Sequence, residues 1–192
     1  MTCWCVIPLR ATPDSKSRLA GVLDAPARAA LVDAMLMRVL DAARGARNVS
    51  RVCLMGSSRT ALPEDVTLLD EPGGGLNAAA ASALAQTEAS RLIVIHADLP
   101  LVTAQDIELL AAAPEGTIAI APDRHGAGTN ALSLPLPAAK GFSFAFGTDS
   151  FARHKAEADR IGLRLEEVHS QGLARDVDEP DDLIDAAALL KE

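Results

Sequence analysis

The chain has 192 residues, 49% of them hydrophobic but only 3% aromatic, and a formal net charge of −8. A length within the roughly 100–200 residues typical of one domain predicts a single domain over residues 1–192, its core built from Ala, Leu, Val and Ile. The acidic balance argues against general binding of nucleic acid or anionic membrane, while leaving room for a local basic patch that holds one phosphorylated small molecule. Cys3, Cys5 and Cys53 are too few for a disulfide framework or a four-thiolate zinc site and read as small apolar core residues. With no basic leader and no apolar run long enough to span a bilayer, the expected location is cytoplasmic.

In chain order, Cys3 to Ile7 reads as a first strand that Pro8 ends. A polar loop follows with three cations, Arg10, Lys16 and Arg18, placed to hold a triphosphate by charge-assisted hydrogen bonds. Lys16-Ser17 lacks the glycines that let a P-loop wrap phosphate, so a Walker A motif is rejected. Asp24 and Pro26 open a long helix whose apolar face carries Leu31, Met35, Leu36, Val39 and Leu40, with Gly45 as its stop. Val49 to Met55 and Val66 to Leu69 read as the next strands. Gly73-Gly-Gly75 then precedes an Ala-rich helix running to about Thr87, where glycines let a ligand approach the backbone and Asn77 can both donate to and accept from a base edge.

Arg91 to Pro100 carries the strongest signal. Leu92 to Ile95 is apolar without alternation, as in a parallel strand covered on both faces, and Asp98 stands at its carboxyl end where ligands gather. By residue type Asp98 reads equally as a hard ligand for Mg²⁺ or as a turn cap. His96 reads as a satisfied strand-end histidine. Thr103 with Asp106 makes a capping box for a helix through Ala113. Thr117–Ala121 and Ala131–Leu136 read as strands joined by a binding loop in which Arg124 and His125 can meet an anion, and Thr129 and Asn130 a carboxylate or phosphate.

Three of the four Phe residues lie in Gly141 to Phe146 and read as anchors, with Asp149 capping a helix from Ser150 to Gly162. Gly147 and Ser150 sit where that helix's N-terminus would meet an anion. His154 and His169 read as surface or structural histidines, not metal ligands. After a strand Leu163–Val168, Asp176-Val-Asp178 alternates along an extended segment, so only one aspartate is expected to face a given site. Glu179 to Asp182 cap a last helix reaching Leu190.

Lys16-Ser-Arg-Leu19, Gly75-Leu-Asn77, Ala97-Asp-Leu-Pro100, Ala121 to Gly126 with Gly128-Thr-Asn130, Phe146-Gly147 with Ser150 to His154, and Asp176-Val-Asp178 occur in that order over nearly the whole chain. In this the chain resembles the 2-phospho-L-lactate guanylyltransferase family of coenzyme F-420 biosynthesis, a branch of the molybdenum-cofactor guanylyltransferase-like nucleotidyltransferases. The resemblance implies an α/β fold: a three-layer α/β/α, Rossmann-like nucleotide-diphospho-sugar transferase architecture with a mostly parallel mixed sheet. It assigns Arg10, Lys16 and Arg18 to the triphosphate, Gly75 and Asn77 to the guanine nucleoside, and Thr129, Gly147 and Ser150 to a phosphorylated acid. Lys16, Arg18 and Asp98 would carry catalysis, and Mg²⁺ would sit on Asp98 with Asp176 or Asp178.

The implied reaction joins GMP from GTP to 2-phospho-L-lactate, phosphoenolpyruvate or 3-phosphoglycerate and releases pyrophosphate, with the downstream transferase that accepts the product as a partner. Two positions depart from the family pattern: Arg10 stands where Lys is expected, and His96 where Pro is more usual. The alternatives are a related nucleotidyltransferase for a sugar phosphate or molybdopterin, against which Gly128-Thr-Asn130 and Gly147 to Ser150 argue, and a GTP-binding module without turnover.

Overall fold

A computed structural model describes residues 2–9, 15–57 and 62–187. Seven strands form one sheet in the order β3-β2-β1-β4-β6-β5-β7: β1 (Cys3–Leu9), β2 (Arg51–Gly56), β3 (Val66–Leu69), β4 (Arg91–Ile95), β5 (Thr117–Pro122), β6 (Thr129–Pro135) and β7 (Arg164–Glu167). All neighbouring pairs are parallel except those that β6 makes with β4 and β5. The sheet is therefore mixed and mostly parallel. β4 is its middle strand and is buried at every position, which is why its sequence shows no alternation.

Helices cover both faces. On one side α1 (Ala25–Gly45), α3 (Ala104–Ala111) and the short α5 (Gln171–Ala174) share a core with Cys5, Ile7, Ile93, Ile95 and Ala131. On the other, α2 (Leu76–Gln86) and α4 (Ser150–Arg160) pack with Phe142 and Phe146 against Val6, Leu92, Val94 and Leu132. Among the described residues no helix is long and apolar enough to cross a membrane. All three cysteines are free and buried, and burial raises the thiols of Cys3 and Cys53 to about 12 and about 11.

Local chemistry explains most boundaries. Asp24 accepts from the Ala27 N–H to start α1 with Pro26 in its first turn, and Thr103 with Asp106 closes both halves of a capping box on α3. Pro8 does not end β1: the strand runs to Leu9, pairing Pro8 with Met55. The ladder with β4 has stopped at Val6, so Pro8 stands where β1 is paired on one side alone and its missing N–H is tolerated. Asp149 does not cap α4 with its side chain; it takes a left-handed conformation (φ 54°) instead. The chain closes, within the described residues, on a 3₁₀ turn Pro180–Asp182 and α6 (Leu183–Ala186).

Candidate active site

β1 connects outward to β2 on one side and neighbours β4 on the other, so the strand order reverses between β1 and β4 and leaves a crevice beyond their carboxyl ends. A cleft of about 510 Å³ occupies that crevice, walled by Pro8 and Leu9 of β1, His96, Ala97 and Asp98 after β4, Ser15 to Arg18, and Glu71, Gly75 and Leu76 before and in α2. Its floor is apolar, with Val32, Met35, Met55 and Ala79.

Lys16 is the centre of its charge. The residue sits at φ 55° just before a 3₁₀ turn, Ser17–Gly21, a left-handed conformation that costs a non-glycine residue about 1–3 kcal/mol and persists only where the surroundings hold it. The holding is visible: Nζ lies 2.5 Å from Asp98 Oδ2 and 2.9 Å from Asp178 Oδ1. Burial pulls the ammonium's pKa down, yet Asp98 and Asp178 outweigh it and the net shift is upward. For Asp98 burial pushes upward while the charge of Lys16, with that of His96, brings the carboxyl below its usual range. Arg18 lines the same wall with its head largely in solvent, 3.9 Å from Glu179. Arg10 lies outside the described residues.

Of the late aspartates, Asp178 reaches this point and Asp176 stands behind it, 3.5 Å from the Asn130 amide. The Val177 N–H donates to the Asp98 carbonyl at 3.2 Å, and Val177 is buried with Leu19, Leu31 and Met35. Asp178 meets Lys16, while the Asp176 carboxyl is raised by burial and then by the charges of Asp98 and Asp178. Of the two, Asp178 lines the cleft and Asp176 does not, although residues two apart on an extended chain share a side and the residue between them turns away. Asp182 fixes the segment: its Oδ2 accepts from the Asp178 and Glu179 N–H groups at 2.9 and 2.8 Å. Its Oδ1 lies 2.5 Å from Arg124. Arg124, expected to meet an anionic ligand, thus pairs with a carboxylate of the chain itself.

Among the described residues no three His, Cys, Asp or Glu side chains converge to hold a metal ion unaided. Asp98 Oδ1 is nevertheless buried without a hydrogen-bond partner, an acceptor that a hard cation suits. His96 departs from its expected satisfied state: its Nε2 is likewise buried and unpartnered, its ring 5.2 Å from that of Phe146.

Gly75 opens α2 at φ 81°, ψ −167°, a region open essentially to glycine alone. Asn77 is not turned to the cleft for base contact. Its Oδ1 accepts from the Phe146 N–H at 2.7 Å and its Nδ2 donates to the Phe146 carbonyl at 3.2 Å, so each end of the amide is engaged by the chain. That clasp is one of several. The Ser143 N–H donates to Glu157 Oε1 at 2.6 Å, the Ala145 N–H to His154 Nε2 at 2.9 Å, and Arg160 donates to the Gly141 carbonyl at 2.9 Å. Residues 141–146 form a strap along α4, hydrogen-bonded by side chains in place of a neighbouring strand.

The strap leads to Gly147 (φ 115°) and the buried Ser150 at the start of α4. Because β6 runs antiparallel to β4, its first residue, Thr129, comes to the same end of the sheet. The start of α4 is tied to the segment before β6 by the Phe151 N–H, which donates to the Ala127 carbonyl at 3.0 Å. His154, fully buried rather than at the surface, lies 3.0 Å from Thr129 Oγ1 through Nδ1; burial, then the charges of Arg153 and His96, lower its pKa to about 4. The Asn130 amide donates to the Leu173 carbonyl at 2.9 Å and stands 3.5 Å from Asp176. Sequence reasoning missed Glu71, Ser15 and the apolar floor as parts of the cleft, and Asp182 and Asn77 as residues that hold the site; a carboxylate just before the triple glycine was the one available signal.

A seven-stranded sheet with its crevice at the β1/β4 reversal, a clamped lysine and a cluster of aspartates defines a nucleotidyltransferase of the nucleotide-diphospho-sugar transferase-like fold. The chain shares that fold with a nucleotidyl transferase from Methanothermobacter thermautotroptrophicus (TM-score 0.68, 14% identity, 98% of each chain covered). A CMP:2-keto-3-deoxy-manno-octonic acid synthetase solved with CTP is also similar (TM-score 0.61, 16% identity, 100% and 99% covered). The family model described as "Guanylyl transferase CofC like" matches residues 3–188, and the chain belongs to that guanylyltransferase family.

Its relatives include the phosphoenolpyruvate guanylyltransferase of Sphaerobacter thermophilus, 43% identical over 97% of this chain and 93% of that one. The 2-phospho-L-lactate guanylyltransferase of Halorubrum lacusprofundi is 39% identical (93% and 81% covered). The 3-phospho-D-glycerate guanylyltransferase of Phenylobacterium zucineum is 34% identical (95% and 88% covered).

Proposed function

We propose that this enzyme transfers the guanylyl group of GTP to phosphoenolpyruvate, or to the closely related 2-phospho-L-lactate or 3-phosphoglycerate, as a cytoplasmic step of coenzyme F-420 biosynthesis. The observation that carries the reading is the Lys16 ammonium held between Asp98 and Asp178 at the mouth of the cleft. In the reaction an oxygen of the acid's phosphate bonds to the α-phosphorus of GTP as the bond to the β-phosphate oxygen breaks, and pyrophosphate leaves. A phosphate monoester is already a nucleophile, so no general base is required. The residues agree with that economy: the thiols are buried and raised, and the Nε2 lone pair of His154 is engaged by a backbone N–H.

The task left to the protein is to bring two anions together and balance charge on phosphorus. Lys16 and Arg18, with Arg10, draw the triphosphate to the cleft, and Gly75 lets it approach the start of α2. Asp98 with Asp176 and Asp178 would hold Mg²⁺, whose usual ligands are one or two carboxylates completed by substrate phosphates, in keeping with an incomplete protein cage. When bound, that ion supplies charge neutralisation at the phosphates. Thr129, Gly147 and Ser150 would take the acid at the N-terminus of α4. Asn77 is reassigned from reading guanine to joining α2 with the strap. The product is consumed by a transferase that accepts the guanylylated acid.

Incubation with Mg²⁺, GTP and each of the three acids, followed by pyrophosphate release, tests the reading. Release is expected with phosphoenolpyruvate above the other two, as in the named activity of the Sphaerobacter relative. Release with none of the three would overturn it.

A further inference from the structure

We infer that His154 is a positioning residue for the phosphorylated acid: it holds one tautomer and thereby turns the hydroxyl hydrogen of Thr129 away from the protein and toward the acid. The role rests on the functional reading above and extends it to a residue that does not itself touch ligand. The argument is one of donors and acceptors. The Ala145 N–H can only donate, and it points to His154 Nε2 at 2.9 Å. Nε2 is therefore the ring's acceptor and Nδ1 carries the proton. Nδ1 lies 3.0 Å from Thr129 Oγ1, so the threonine oxygen accepts from the imidazole and its own hydrogen must point elsewhere.

Among the described residues His154 is the only hydrogen-bond partner of the Thr129 hydroxyl. A buried hydroxyl whose hydrogen has no acceptor in the protein is set to donate to an incoming oxygen. The surroundings fit an anionic one. Ser150 and His154 lie four residues apart on one face of α4, both buried, with the helix N-terminus beside them. The ring is also locked in place: Phe146 packs edge-on at 4.9 Å and Phe142 at 5.8 Å, and Phe146 in turn contacts His96 on the cleft wall. A ring of depressed basicity stays neutral through the working pH range, so the direction of the proton does not change.

Two replacements separate this role from simple packing. In His154→Asn the amide replaces the Nδ1 edge and keeps the donor to Thr129; in His154→Gln it reaches the Nε2 position and keeps the acceptor for Ala145 alone. Steady-state kinetics with GTP and the acid should show H154Q raising the KM for the acid about tenfold with the KM for GTP changed less than about twofold, the loss of one hydrogen bond to a charged group, and H154N recovering most of it. Thr129→Val should raise the acid's KM to a similar degree, and the double variant T129V/H154Q should be no worse than T129V.

An unchanged acid KM in H154Q, equal losses for both substrates, or multiplying effects in the double variant would overturn the role while leaving the guanylyltransferase reading intact. Failure of the unaltered enzyme to release pyrophosphate with any of the three acids overturns the reading and this role together. Should the variants not fold, ¹⁵N-histidine NMR of the unaltered protein decides: a protonated Nδ1 at neutral pH is expected, and a protonated Nε2 or an imidazolium excludes the proposed orientation.

Discussion

At the scale of single residues, the aspartate at the tip of β4 is where burial and charge oppose each other most directly. Asp98 keeps one oxygen on Lys16 and the other buried without a partner. Replacing it by Asn is nearly isosteric but removes the charge that Lys16 and a hard cation need. Asp98→Asn should therefore lower kcat by at least about a hundredfold, the scale of losing one electrostatic contact at a reacting centre, with a melting temperature within a few degrees of the parent. Retained turnover would remove Asp98 from the site.

His154 and Glu157 yield a pH prediction. His154 titrates at about 4 in the fold against an ordinary 6.5, so its contribution to stability is complete above pH 6.5 and disappears as pH falls toward 4. Glu157, lowered to about 2 chiefly by its bond from Arg160, adds a loss from pH 4.5 toward 2. The melting temperature should hold level between about pH 7 and 8, fall below 6.5, with His154 accounting for up to about 3 kcal/mol, and fall again as pH passes the ordinary thiol value of 9, because the buried cysteines resist ionisation in the fold. In calorimetry H154Q should flatten the segment between pH 6.5 and 4; an undiminished slope there would show that another group is responsible. The meeting of Lys16 with Asp98 and Asp178 was legible because each lies at a strand end or in a loop near one. The engagement of Asn77 and Arg124 was not, since their partners lie 69 and 58 positions away in the chain, beyond what local pattern can report.

At the scale of elements, strands and long helices left a mark in apolar period, and α1 and α3 in capping chemistry as well, while pairing direction did not. A strand buried on both faces shows the same unbroken apolar run whether its neighbours are parallel or not, so the reversal of β6 had no sequence signature. Nor did the end of β1, because proline's missing donor matters only on a side that is paired. Arg91 is the element-scale exception to an apolar strand. Fully buried at the start of β4, it donates to the carbonyls of Thr117, Ala113 and Pro114 and to the Ser133 hydroxyl, binding the α3–β5 connection to the middle of the sheet. Arg91→Met fills similar space but leaves those acceptors unpaired, and should cost about 2–4 kcal/mol in urea denaturation. A cost under about 0.5 kcal/mol, the size of an ordinary surface substitution, would mean that the network contributes nothing net.

At the scale of the whole molecule, a net charge of −8 surrounds a cleft whose wall sets Lys16 and Arg18 against Glu71, Asp98 and Asp178. A polyanion therefore needs a cation to enter with it, and ligand binding should register globally. With Mg²⁺ present, GTP at a hundred times its Kd should stabilise the fold by about 2.7 kcal/mol, read as a rise in melting temperature; a larger rise with ATP or CTP would point to a different nucleotide.

The strap of residues 141–146 crosses from α4 to α2 on bonds in which the strap contributes peptide groups and its neighbours contribute side chains. What those neighbours recognise is therefore backbone, which every residue but proline supplies in full. The consequence is an uneven tolerance to mutation: the exposed position 143 can accept almost any side chain that solvent will take, proline alone excluded, whereas Asn77, His154 and Glu157, distant in sequence, are the letters in which the strap's conformation is written.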